Sequence, residues 1–240
     1  MKLIWFILYG FIFSACSLDE SPIIDPKSTL VLIESVSLEV PEPSGLTLNS
    51  NGSALYVVSD PPDNSVYKLD LLGNIQKTLS YSGYDLEGIT YDTRDNTLWV
   101  AEESLLEIVH LDTFGNILSR KPILFNNNGS NSGFEGIVIN PNNGHINLLN
   151  EKDPGAFLEL NSTLIKTLEL ELGFAQDYSG ICLNEINGNY FIVSDESKQL
   201  IEWGALTGVI NTYSLDFEKA EGVAVDIEKN RIYIVSDLEE

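Results

Sequence analysis

Apolar and polar positions alternate along most of this chain in short runs, and the runs are separated by clusters of Gly, Asn and Asp. Residues 88–124 show the pattern: "GITYD", the turn "TRDN", "TLWVAEE", "LLEIVHLD", the turn "TFGN", then "ILSRKPIL". Alternation of this kind, rich in β-branched and aromatic residues and bounded by turn formers, predicts strands. "GICLN", "YFIVSDE", "QLIEWGA" and "VINTYSLD" repeat the series over residues 180–216. No stretch keeps a helical period over the roughly twelve residues a helix needs, so the pattern predicts an all-β chain.

The series is an internal repeat. Aligning "EPSGLTLN", "DLEGITYD", "GFEGIVIN", "DYSGICLN" and "KAEGVAVD" superposes Gly45, Gly88, Gly136, Gly180 and Gly222, which lie 43, 48, 44 and 42 residues apart. An acid follows each glycine by fifteen residues: Asp60, Glu103, Glu151, Asp195 and Asp237. Acids make up 36 of 240 residues, so five matches in five arise by chance roughly once in ten thousand trials, before allowing for the columns inspected. A period near this length with four strands per repeat is that of a propeller blade, and five repeats predict a five-bladed β-propeller over residues 30–240. Residues 30–40, "LVLIESVSLEV", feed the first repeat as each fourth strand feeds the next, and should close the ring as the fourth strand of the last blade. Only "LEE" follows Asp237, so the last blade is expected to lack a third strand, either because it is incomplete or because the sequence is truncated.

In an antiparallel blade the start of the first strand and the end of the second lie at one rim. Glu87, Glu135 and Glu221 precede the repeat glycines, so with Asp60, Glu103, Glu151, Asp195 and Asp237 they form a predicted ring of eight carboxylates at one channel mouth. Ser44 and Ser179 replace the glutamate in the first and fourth repeats, and Glu42, Asp85 and Asp177 add oxygens just upstream. Like charges held this close demand a counter-cation or raise each other's pKa. Oxygen ligands of this number suit calcium, not zinc, and the inner set Glu87, Glu135 and Glu221 is the first choice of ligands. A second reading stands beside it: the same carboxylates could accept backbone N–H groups of adjoining blades and tie the ring without any ion. The glycines are expected where inner strands crowd the axis. Tyr56, Trp99, Tyr190 and Tyr233 read as packing between blades. His110 and His145 lack metal-ligand spacing and read as structural or exposed.

The formal charge of −23 excludes a phosphate backbone as partner and favours cations. At the N-terminus Lys2, the apolar run from Leu3 to Phe13 and the small residues "SAC" read as an export signal, residues 1–16, too short to span a bilayer. "FSAC" resembles a bacterial lipobox, with Phe13 in place of the usual Leu, so Cys16 is the expected lipidation site; a plain secretory signal is the alternative. Residues 17–29, with two Pro and mixed charge, read as a flexible tether, and Asn128 in "NNNGSNSG" as part of a loop. With Cys16 lipidated, Cys182 has no partner and reads as a buried, inert thiol.

"PSGLTLN", "DLEGITYD", "FEGIVINP", "NEKDP", "DYSGICLN", "VSDES" and "AEGVAVD" together resemble the SdiA-regulated family of bacterial envelope proteins, from about residue 30 onward. That resemblance implies a five-bladed propeller distantly related to NHL-repeat propellers, with a bound calcium near the channel and no established biochemical activity. The expected function is therefore a lipid-anchored module of the cell envelope, at the outer membrane. It would bind a divalent cation and present a face to an unidentified envelope ligand or protein. The alternative is a metal-dependent hydrolase or lactonase on the same scaffold, with Asp195 and Glu103 as candidate bases. No nucleophile-and-base motif of a known hydrolase accompanies them.

Overall fold

The computed structural model describes residues 2–9, 29–127 and 132–238, the first of these segments as backbone only. Cys16, most of the tether and Asn128 lie outside the described residues. In chain order the strands are β1 (Lys2–Tyr9), β2 (Leu30–Leu38), β3 (Pro43–Leu48), β4 (Ala54–Ser59), β5 (Ser65–Asp70) and β6 (Ile75–Ser82). The second repeat gives β7 (Leu86–Asp92), β8 (Thr97–Glu102), β9 (Glu107–Leu111) and β10 (Ile117–Pro122). The third gives β11 (Phe134–Ile139), β12 (Ile146–Asn150), β13 (Ala156–Leu160) and β14 (Lys166–Glu171). The rest are β15 (Gly180–Leu183), β16 (Tyr190–Ser194), β17 (Gln199–Gly204), β18 (Gly208–Ser214), β19 (Ala220–Asp226) and β20 (Arg231–Ser236).

These strands make five four-stranded antiparallel sheets, and among the described residues there is no helix. Four sheets follow chain order, with β3, β7, β11 and β15 at one edge of each. The innermost strands pack on one another in sequence, and β19 packs back on β3, so the sheets form a closed β-propeller. Turn chemistry spaces the strands. At the same repeat position Asn49, Asp92, Asn140, Asn184 and Asp226 each accept a backbone N–H from the following turn, at 2.9 to 3.1 Å.

The last sheet corrects one expectation. Its order is β19-β20-β1-β2, so β2 closes the ring in the fourth position as anticipated, and the third position is filled by Lys2–Tyr9. β1 runs antiparallel to both neighbours, pairing Leu3 with Ser236 through Leu8 with Arg231, and Lys2 with Leu38 through Tyr9 with Leu30. The ladder excludes β2 from that position because a third strand must oppose both β20 and the fourth.

Five apolar clusters fill the spaces between neighbouring sheets. Tyr56, Val58 and Val66 of one sheet meet Leu86, Val100 and Val109 of the next. Ala224, Tyr233 and Val235 of the last sheet meet Leu46, Leu55 and Leu69 of the first, which seals the ring. Each fully buried side chain of this kind contributes about 1.5 to 3 kcal/mol. The strand aromatics Tyr56, Trp99, Tyr190 and Tyr233 are all buried in these clusters. His110 stacks on Trp99 with ring centroids 4.1 Å apart. Cys182 is buried, and burial pushes its thiol pKa up.

The repeat glycines sit where inner strands nearly touch. A Cβ on Gly45 would lie 2.5 Å from the Glu87 carbonyl, one on Gly180 2.4 Å from that of Glu221, and one on Gly222 2.4 Å from that of Ser44. Only a residue without a side chain permits that approach.

Candidate functional site: an acidic channel mouth

Each inner glutamate occupies a bulge. The pairing of β7 with β8 slips between Leu86 and Gly88, that of β11 with β12 between Phe134 and Gly136, and that of β19 with β20 between Ala220 and Gly222. The extra residue in each case is the glutamate, and a bulge re-aims its side chain. In two of these blades the residue two places earlier is left-handed, Asp85 at φ 60° and Lys219 at φ 57°, as is Glu42 at φ 35° ahead of Ser44. The carbonyls of Glu42, Asp85, Gly133 and Lys219 accept the backbone N–H of Asp60, Glu103, Glu151 and Asp237 at 2.8 to 3.1 Å. That bond fixes the second acid column against the first.

The result is one cavity of about 320 Å³ at the mouth, lined by all eight sequence-predicted acids: Asp60, Glu87, Glu103, Glu135, Glu151, Asp195, Glu221 and Asp237. Ser44, Ser179, Glu42 and Asp177 also line it, while Asp85 approaches Asp60 and Glu87 from the side. Three of its charged liners had no sequence-derived role: Lys152, Glu196 and Lys219. A second column also went unread. Ser59, Glu102, Asn150, Ser194 and Ser236 precede the strand-end acids, are all buried, and bind loop carbonyls or side chains, as Ser59 binds the Pro41 carbonyl at 2.6 Å. The triplet of serines in "VSD" was the available signal.

The carboxylates divide by what they touch. Glu103 accepts the Gly133 N–H at 2.8 Å and Asp195 accepts the Lys219 N–H, so both tie neighbouring blades. Ser44 donates to Glu87 Oε2 at 2.5 Å across another blade boundary. Asp177 is gripped by the Ser194 hydroxyl and the Glu196 N–H. The blade-tying reading therefore accounts for part of the ring. Glu135 and Glu221 accept no hydrogen bond among the described residues, and no N–H or hydroxyl reaches the buried Asp60 Oδ1.

Burial leads every pKa shift here, and neighbouring carboxylates add to it. Glu103 is pushed up to about 7 and Glu221 to about 8. Burial, and then the charge of Asp60, hold Glu87 well above the usual range. Burial and then the charge of Glu87 do the same to Glu135. Asp60 and Glu151 are also raised by burial.

Three groups offer carboxylate oxygens within 4.8 Å of one another: Asp60, Asp85 and Glu87; Glu103, Glu135 and Glu151; and Glu151, Asp177 and Glu196. Glu221, Asp195 and Asp237 line the mouth outside these sets. An all-oxygen, anionic donor set with an ungripped carboxylate fits a hard cation such as calcium. His110 and His145 are not among the lining residues.

Among solved structures the fold is similar to virginiamycin B lyase from Staphylococcus aureus, at TM-score 0.52 and 16% identity over 89% of this chain and 72% of that one. A streptogramin B lyase matches at TM-score 0.52 and 17% identity, over 87% and 69%. The β-propeller domain of Myceliophteria thermophila Cps50 (Swd1) matches at 0.51 and 11%, over 82% and 62%. At these identities the likeness speaks for the β-propeller and not for an activity. The SdiA-regulated family profile matches residues 42–238, and the chain with its ring of bulged glutamates belongs to that family.

Proposed function

We propose that this chain is a five-bladed, lipid-anchored propeller of the bacterial envelope that binds calcium at its acidic mouth and presents that face to an envelope ligand or protein. The observation that carries the cation reading is the set Glu103, Glu135 and Glu151, whose oxygens lie within 4.8 Å of one another while Glu135 accepts no hydrogen bond among the described residues. Carboxylates so placed either retain protons, as the raised values of Glu103 and Glu221 express at neutral pH, or take a cation. The lipid anchor rests on "FSAC" at Cys16, and outer-membrane sorting on Ser17 in the next position. Calorimetric titration of metal-stripped protein with calcium tests the first part, and absence of binding heat at millimolar calcium refutes it. Labelling with a fatty-acid analogue in a bacterial host, lost on Cys16→Ala, tests the anchor.

A further inference from the structure

The mouth already holds a cation of its own. Lys152 follows Glu151, the strand-end acid of the third repeat, and its Nζ lies 2.5 Å from Glu151 Oε1 and 3.1 Å from Glu196 Oε1 of the next repeat. The backbone that carries this side chain is held in place. The Lys152 carbonyl accepts the Ser132 hydroxyl at 2.5 Å and the Asn150 amide at 3.0 Å, and Asp153 beyond it is left-handed at φ 54°. Lys219, the other lysine at the mouth, stands 3.7 Å from Asp237.

Glu151 belongs to two sets at once. It shares one with Glu103 and Glu135 and the other with Asp177 and Glu196. An ammonium bonded to Glu151 and Glu196 stands at the second set and engages the carboxylate that the first set needs. We propose that Lys152 is a tethered competitor: a divalent ion entering between Glu103, Glu135 and Glu151 must draw Glu151 away from the lysine, which lowers affinity and sets the calcium concentration at which the mouth fills. The inference rests on the cation reading above and adds a regulating residue to it. The charge acts at close range, although water reaches the 40% exposed Lys152 side chain and screens part of it.

The test is calcium titration of the metal-stripped full chain with Lys152→Gln, Lys152→Arg and Lys219→Gln. Lys152→Gln should bind calcium about three- to fivefold tighter, since an ammonium paired with Glu151 no longer competes and solvent screening limits the gain. Lys152→Arg should stay near wild type, and Lys219→Gln should shift affinity less than Lys152→Gln. Equal or weaker binding by Lys152→Gln, with wild type binding normally, overturns the competitor role and leaves the cation reading standing. An equal gain in Lys219→Gln also overturns it, because general charge would then suffice. No binding by any form removes the cation reading and this role with it. An independent readout is the Lys152 ammonium resonance, which should be protected in chelator and lose its protection when calcium is added.

Discussion

Raising the pH should weaken the metal-free protein across a range where most proteins are steady. Glu103 titrates near 7 and Glu221 near 8 in the fold, against a reference of 4.5 for each. A carboxyl raised on folding binds its proton more tightly folded than unfolded, so stability is retained below about pH 4.5 and lost as pH rises to the folded value. From pH 5 to pH 7 Glu103 alone accounts for about 2 kcal/mol of loss, and the partly exposed Glu221 for less once water screens it. Glu87, Glu135, Asp60 and Glu151 are raised as well and act with the same sign. His110, lowered by burial, opposes them below about pH 6.5. At about 2 to 4 °C per kcal/mol for a chain of this size, a net loss of about 3 kcal/mol lowers Tm by roughly 6 to 12 °C. The assay is thermal unfolding by circular dichroism from pH 5 to 8, in chelator and in millimolar calcium. Calcium should flatten the fall, because a cation takes over the role of the retained protons. A Tm that is level or rising with pH in chelator would refute the reasoning.

Three further outcomes are expected. Glu135→Gln should raise Tm in chelator at pH 8 and weaken calcium binding by about tenfold or more, since it removes the ungripped buried charge; calorimetry and melting together check both signs. Gly180→Ala places a Cβ 2.4 Å from the Glu221 carbonyl and should cost at least the 1 to 3 kcal/mol or so of ordinary overpacking, whereas Gly173→Ala, with nothing within 4 Å, should be neutral by urea denaturation. Cys182 should resist a thiol reagent in the native protein and react only on unfolding, a contrast that a colorimetric thiol assay reads directly.

The strand order inside each repeat, the closure by residues 30–38 and the gathering of the acids at one rim were legible, because alternation with period two and a fixed repeat length leave few alternatives. The bulges at Glu87, Glu135 and Glu221 were not, since a slip in pairing depends on which residues oppose it on β8, β12 and β20. Lys152 escaped notice for a similar reason: its second partner, Glu196, lies 44 residues away and is brought near only by ring closure. The pairing of Lys2–Tyr9 with β20 and β2 was not legible either, because an apolar run without alternation does not name its strand partners.

The knitting of Lys2–Tyr9 between β20 and β2 carries a consequence for timing. A ring whose last wedge joins β1 and β2 to β19 and β20 cannot zip shut until β20 has been synthesised, so closure is a late, long-range event.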